Sequence, residues 1–283
     1  MKAVGDRGIP DFLIIGTQKA GTTWLMRKLA EHPKVFMASR QVHFFDREYK
    51  RGSTWYRRQF SAAKNCQIVG EKTTEYFDTA TMEVVPRRIA ELSPSCKMIV
   101  ILRNPVERAW SAMVHHVNAG LIPLPSDANE AVLDVGSGIR EPANFRFVER
   151  GFYAKQLEAF YACFNPSQML VLVFEDDIVA NPELGWSKVC HFLDIPVTTL
   201  SEARRAENQV RLSALGCRMA YVVRQIPKAR SLLRRVDRVI GKKPWMPQMC
   251  PETRRSLEEI YAQSNRELYD LLGEEIPSWR LKS

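Results

Sequence analysis

Residues 11–31 read D-F-L-I-I-G-T-Q-K-A-G-T-T-W-L-M-R-K-L-A-E. The run from Asp11 to Gly16 is short, continuous and apolar, and a glycine ends it. That is the pattern of a strand buried on both faces. From Thr22 to about Glu31 the apolar residues recur at helical spacing, until His32-Pro33 closes the segment. The chain is therefore read as strand, tight turn, helix. This is the opening unit of a parallel sheet, in which ligands gather at the carboxyl ends of strands and at helix N-termini.

Working outward, the same alternation continues. Gln67–Glu71 reads as a second strand and Val84–Leu92 as a helix. Lys97–Leu102 (K-M-I-V-I-L) is a β-branched third strand. It runs into Arg103-Asn104-Pro105, where Pro105 is suited to open a helix reaching about Asn118. Met169–Phe174 supplies a fourth strand, flanked by helices near Tyr153–Cys163 and Asn181–Leu193. Short strands alternating with helices predict an α/β doubly wound parallel sheet with helices on both faces. Between Ala119 and Asn144 the pattern dissolves into a long loop, a candidate lid. After Pro196 the chain reads as helical and basic, ending in an amphipathic helix over Glu252–Leu272. The expectation is one domain over residues 1–283, with a core of about 11–196 and a helical C-terminal appendage of about 197–283.

Composition narrows the classes. With 283 residues, 45% hydrophobic and 26% charged, the chain is neither disordered nor a disulfide miniprotein. No apolar run nears the roughly 20 residues of a membrane span. The N-terminal segment with Lys2, Asp6 and Arg7 shows neither signal peptide nor anchor. The six cysteines, Cys66, Cys96, Cys163, Cys190, Cys217 and Cys250, form no C-x-x-C pair and read as free thiols. A cytoplasmic location, with no membrane and no nucleic-acid partner, is the expectation. The formal net charge is +9, and Ser201–Ile260 alone holds 14 Lys/Arg against 6 Asp/Glu. A polyanion-binding surface and a solvated basic helix both fit that stretch, whose cations include Arg224, Lys228, Arg230, Arg234, Arg235 and Arg238. Lys242 and Lys243 could serve a ligand's phosphates.

The turn carries the chemistry. Lys19 brings a full charge, Gly21 permits close backbone approach, and Thr22 and Thr23 add hydroxyl donors ahead of Trp24, so an oxyanion belongs there. Gly16 and Gly21 have the spacing of a Walker loop, but Thr22 stands where its lysine should be and Lys19 lies inside the loop. The turn is P-loop-like without being a Mg-ATP loop, which leaves a P-loop kinase as a weaker alternative. After the third strand, Arg103 and Ser111 suit a second phosphate.

The motifs Q-K-A-G-T-T and R-N-P-V-E-R-A-W-S resemble those of the PAPS-dependent sulfotransferases, in the heparan-sulfate-type branch and its bacterial relatives. So do V-H-F-F-D at Val42–Asp46, Trp55-Tyr56 and G-E-K-T-T-E-Y-F at Gly70–Phe77. The resemblance implies transfer of a sulfuryl group from PAPS to a hydroxyl or amine of a small metabolite or glycan by in-line displacement. PAP is the product and no metal is needed. A bacterial enzyme of secondary metabolism is as well suited as a polysaccharide enzyme. By resemblance, Lys19, Ala20, Gly21, Thr22, Thr23 and Trp24 form the 5′-phosphosulfate loop. Arg103 and Ser111 hold the 3′-phosphate, and Tyr153 is a further donor-site residue. Lys19 and Lys72 act at the reacting centre, and Asp46 contacts the acceptor.

Where this branch carries a glutamate as general base, the chain has Gln41, an amide that accepts no proton at neutral pH. His43, on the same face as Gln41 if the segment is extended, is the next candidate for the base. Glu71 and Glu75 are the others, with Glu71 and Lys72 expected to face one crevice. Gln41 also leaves open a non-catalytic PAP/PAPS-binding protein.

Overall fold

In chain order the elements are β1 (Phe12–Gly16), α1 (Thr22–Glu31), β2 (Val35–Met37), α2 (Gly52–Arg58), β3 (Ile68–Lys72), α3 (Val85–Leu92), β4 (Lys97–Leu102) and α4 (Pro105–Asn118). They are followed by α5 (Ala128–Leu133), α6 (Tyr153–Tyr161), β5 (Met169–Val173), α7 (Pro182–Leu193), α8 (Ala214–Val222), α9 (Ala229–Ile240) and α10 (Pro251–Leu272). Short π-helical turns at Phe44–Glu48 and Phe174–Ala180 interrupt the alternation. The computed structural model describes residues 9–64, 67–133, 146–200, 212–226, 229–240 and 243–280. Lys2, Asp6, Arg7, Cys66, Asn144, Lys228, Lys242 and the side chains of Arg230, Arg234 and Arg238 lie outside the described residues.

The chain forms two compact units. One comprises residues 1–105, 152–201 and 263–283, the other 106–151 and 202–262. The first holds a five-stranded parallel sheet in the order β2-β3-β1-β4-β5. Phe12 lies opposite Gly70 on β3 and Lys97 on β4. Alternation along each strand divides the core into two layers. Leu13, Ile15, Met98, Val100 and Leu102 pack with Tyr56, Tyr76, Ile89, Leu157 and Phe160. Phe12, Ile14, Ile99 and Ile101 pack on the opposite face with Leu25, Leu29, Trp186 and Val189. Helices thus cover both faces, as the near-continuous apolar strands require.

The sequence reading has four strands, and the described residues form five. The additional strand, β2, is three residues long, too short to show a period. Its pairing with β3, Val35 opposite Ile68, is what makes it a strand. Because the chain passes from β3 across β1 to β4, the crevice between the ends of β1 and β4 is the point where strand order reverses. Ligands of open α/β sheets bind at such a point.

The second unit contains most of α4, then α5, α8, α9 and the first part of α10. Its centre holds Arg108, fully buried, whose Nη2 donates to the Phe147 carbonyl, and Tyr261, whose hydroxyl donates to the Val148 carbonyl at 2.8 Å.

Candidate active site

The loop between β1 and α1 is fixed by the neighbouring strand. Thr17 donates to the Ile101 carbonyl through both its backbone N–H (3.0 Å) and its Oγ1 (2.9 Å). Lys19 and Gly21 have φ of 70° and 84°, in the left-handed region. Gly21 is the N-cap of α1, and no side chain caps that end and no acidic residue occupies its first turn. The unpaired N–H groups and positive dipole end are left for something else. A Cβ at Gly21 would meet the Phe174 ring at 3.1 Å, so glycine is required there on two counts.

Arg103, at the end of β4, donates through Nη1 to the Lys19 carbonyl at 2.9 Å, and its guanidinium lies 5.0 Å from the centre of the Phe174 ring. The buried Tyr153 hydroxyl donates to the Arg103 carbonyl at 2.8 Å, so Tyr153 positions the arginine's main chain. Glu175, just past β5, accepts from the Asn104 N–H at 3.1 Å and from Trp279 Nε1 at 3.0 Å, fixing the entry to α4. Lys72 reaches α1 from the end of β3, its Nζ donating to Thr23 Oγ1 at 3.3 Å. Three cations from three strand ends therefore surround one helix N-terminus. Burial, and then the Arg103 charge, hold the Lys19 ammonium below its ordinary pKa. Burial lowers Lys72 too; Glu75 opposes that shift and Arg27 adds to it. Ammonium groups in this condition favour a bound anion.

The other named residues divide by environment. Thr22 is buried. Ala20 is fully buried, so it offers a ligand its backbone rather than its side chain, and Trp24 is half-buried against the same core layer. Ser111 lies part-exposed in the middle of α4, in the second unit.

Glu71 and Lys72 do not share a crevice, because adjacent strand residues point to opposite faces. Glu71 is fully buried and accepts from three hydroxyls: Tyr56, Thr73 at 2.7 Å and Tyr76 at 2.8 Å. Burial raises its pKa, partly offset by those bonds. It is a structural hub, closed to an acceptor.

Gln41 and His43 are not related by an extended segment either. His43 has φ 56° and caps the π-helical turn Phe44–Glu48. Gln41 Oε1 instead accepts from the Thr74 N–H (3.2 Å) and Oγ1 (3.3 Å), and Glu75 Oε2 accepts from the same hydroxyl at 3.1 Å. The turn brings Asp46 Oδ2 to 2.9 Å from His43 Nδ1. Asp46, nearly buried, pairs through Oδ2 with His43 and Arg47, while its buried Oδ1 has no hydrogen-bond partner among the described residues. A carboxylate on Nδ1 selects the tautomer whose Nε2 accepts a proton. The sequence reading missed Phe174, Thr17 and Glu175. Phe174 was accessible in principle, since it closes a predicted strand at its carboxyl end.

A family model described as Sulfotransferase domain matches residues 9–269. Human heparan sulfate glucosamine 3-O-sulfotransferase 6 is 32% identical over 276 residues, covering 96% of this chain and 74% of that protein. Mouse heparan sulfate glucosamine 3-O-sulfotransferase 3B1 is 29% identical over 271 residues, covering 95% of this chain. The chain spans 65% of the length of that mouse protein, just under two thirds. In structure, a sulfotransferase from Alicyclobacillus acidocaldarius superposes with a TM-score of 0.72 at 22% identity, covering 96% of this chain and 99% of that one.

Proposed function

Because the chain belongs to the PAPS-dependent sulfotransferases of heparan-sulfate type, we propose that it transfers a sulfuryl group from PAPS to a hydroxyl or amine of a glycan or small metabolite. The observation that carries this reading is the set Lys19, Lys72 and Arg103 gathered at the uncapped N-terminus of α1. Burial lowers the pKa of both lysines, and the phosphate and sulfate oxygens of a doubly phosphorylated, sulfated nucleotide offset that desolvation. The donor set suits phosphosulfate and phosphate oxygens.

In this reading the α1 N–H groups, Thr22 and Thr23 bind the 5′-phosphosulfate, while Arg103 binds the 3′-phosphate. His43, held on Asp46 through Nδ1, takes the acceptor proton at Nε2. The acceptor oxygen or nitrogen bonds to sulfur as the bond from sulfur to the bridging oxygen breaks. Lys19 neutralises the negative charge left on that oxygen, and Lys72 does the same for the sulfuryl oxygens. Among the described residues, the free thiols of Cys163, Cys190, Cys217 and Cys250 accord with a reducing, cytoplasmic setting.

The test is transfer from labelled PAPS across a panel of uronic-acid oligosaccharides, amino sugars and small hydroxylated metabolites, read as the mass gain of one sulfuryl group. Transfer to one class, without magnesium, is expected. PAP binding with no turnover on any acceptor, even in a single-turnover format, would overturn the enzymatic reading. It would favour the non-catalytic binder to which Gln41 points.

A further inference from the structure

The second unit ends its basic stretch in a helical hairpin that the transfer chemistry does not use. Ser213, the N-cap of α8, accepts from the Gly216 N–H at 3.0 Å. It also bonds Asp237 near the end of α9, its N–H donating to Oδ2 at 2.9 Å and its Oγ to Oδ1 at 2.5 Å. The start of α8 therefore meets the end of α9, and the two helices run antiparallel. Gly216 makes the seam close, since a Cβ there would lie 2.4 Å from Asp237 Oδ1.

Six aliphatic side chains of this hairpin are left in solvent: Leu215, Met219, Val222 and Ile226 along and just beyond α8, and Leu232 and Val236 on α9. Each is between 41% and 68% exposed. Leu215 immediately precedes the seam residue Gly216, and Val236 immediately precedes the seam residue Asp237. One residue is about 100° of helical rotation. In an antiparallel pair, equal rotations from the seam carry both side chains to the same face. Met219, Val222 and Leu232 extend that face by their i, i+4 and i, i+7 spacing. The hairpin thus presents one aliphatic surface built from both helices.

Its charge is equally one-sided. Residues 213–243 contain nine Lys/Arg and a single acid, Asp237, which the Ser213 bonds consume. Arg218, Arg224 and Arg235 are exposed, and the Arg224 guanidinium stacks 4.0 Å from the centre of the Tyr221 ring. A hydrated polyanion such as a glycan or nucleic acid would satisfy the cations but leave the aliphatic face in water. An anionic bilayer surface satisfies both, taking the aliphatic face to acyl depth and the arginines at the headgroups.

We infer that the α8–α9 hairpin docks the protein on the surface of an anionic lipid membrane. No spanning segment is needed for this. The expectation of no membrane partner rested on the lack of such a segment, and an in-plane amphipathic hairpin escapes that criterion.

The test is co-sedimentation of the full chain with vesicles of phosphatidylcholine alone and of equal parts phosphatidylcholine and phosphatidylglycerol. Binding to the anionic vesicles only, weakened by salt, is expected. The pairs Leu232→Ser/Val236→Ser and Leu215→Ser/Met219→Ser should each reduce it about tenfold or more, with unfolding temperature and PAP affinity unchanged. Should a serine pair lower the unfolding temperature, Arg235→Glu, an exposed charge reversal, carries the test with the same expected loss of vesicle binding. The inference is overturned by no binding to anionic vesicles or by binding indifferent to these substitutions. It is equally overturned if the substitutions abolish self-association, or binding to heparin or single-stranded DNA, in place of vesicle binding.

Discussion

Arg103 Nη1 donates to the main-chain carbonyl of Lys19 across 2.9 Å, so the residue that ends β4 holds the loop that follows β1. The two proposed phosphate-binding elements are therefore one mechanical unit. Tyr153 supports it from below through the Arg103 carbonyl, and Phe174 supports it from the side.

Arg103→Ala removes both the proposed phosphate-binding fork and the brace on Lys19. Charge-assisted hydrogen bonds are each worth about 1.5–3 kcal/mol, so PAP affinity should fall roughly 10- to 100-fold by calorimetry. Arg103→Lys should recover little of it, because an ammonium cannot reach the Lys19 carbonyl and a ligand in the same forked geometry. Full affinity in the alanine variant would remove Arg103 from the donor site.

Gly21→Ala places a Cβ at φ 84° and 3.1 Å from the Phe174 ring. The left-handed conformation alone costs about 1–2 kcal/mol. Thermal unfolding should shift down, and PAP binding should weaken with it. In Gly21→Ala/Phe174→Leu the steric part is relieved and the backbone part persists. Partial recovery of the unfolding temperature in that double variant is the outcome to measure.

Lys19 and Lys72 have folded-state pKa values below the ordinary 10.5, from burial first in both cases. A depressed lysine contributes stability above its unfolded pKa and loses that contribution as pH falls through the folded value. At neutral pH both ammonium groups therefore weigh against the fold. Lys19→Met should raise the unfolding temperature of the ligand-free protein while abolishing transfer. PAP affinity of the unaltered protein should decline with rising pH before 10.5 is reached, and Lys19→Arg should flatten that decline.

The role proposed for the His43–Asp46 pair separates binding from chemistry. His43→Gln should lower kcat by about 10²- to 10⁴-fold with PAP affinity unchanged. Asp46→Asn, which loosens the ring rather than removing it, should lower kcat less. If either substitution weakens PAP binding instead, the pair belongs to the donor site.

Glu71 offers a contrasting expectation for a carboxylate beside the proposed site. Glu71→Ala strands the hydroxyls of Tyr56, Thr73 and Tyr76, at a cost of about 3 kcal/mol or more. Burial raises the Glu71 pKa, so its contribution is full below the ordinary 4.5 and is lost as pH rises through the folded value. Denaturant titrations should show the unaltered protein gaining on Glu71→Gln as pH is lowered towards 4.5.

What could be read without coordinates follows from which interactions are local. Phe12–Gly16, Lys97–Leu102 and Thr22–Glu31 announce themselves because continuous burial and helical periodicity are written into neighbouring residues. The loop at Lys19–Thr23 was legible for the same reason, as a charge and hydroxyls set between a strand and a helix. Val35–Met37 was not legible, because a three-residue strand exists only through its pairing with Ile68–Gly70. The extended reading of Gln41–His43 failed because a left-handed His43 and a π-helical turn answer to contacts with Thr73 and Thr74, distant in sequence.

The sequence by itself determined the strand-and-helix alternation of the core apart from β2, the cationic loop and the family to which those motifs belong. These are properties of adjacent residues and of spacing. Only the tertiary structure decided that β1 and β4 lie side by side, so that Arg103 braces Lys19. It alone also turned Glu71 inward and Lys72 toward α1, and gave His43 its carboxylate partner. Those outcomes depend on which side of a strand a residue occupies and on what packs against it, and packing is settled by segments far apart along the chain.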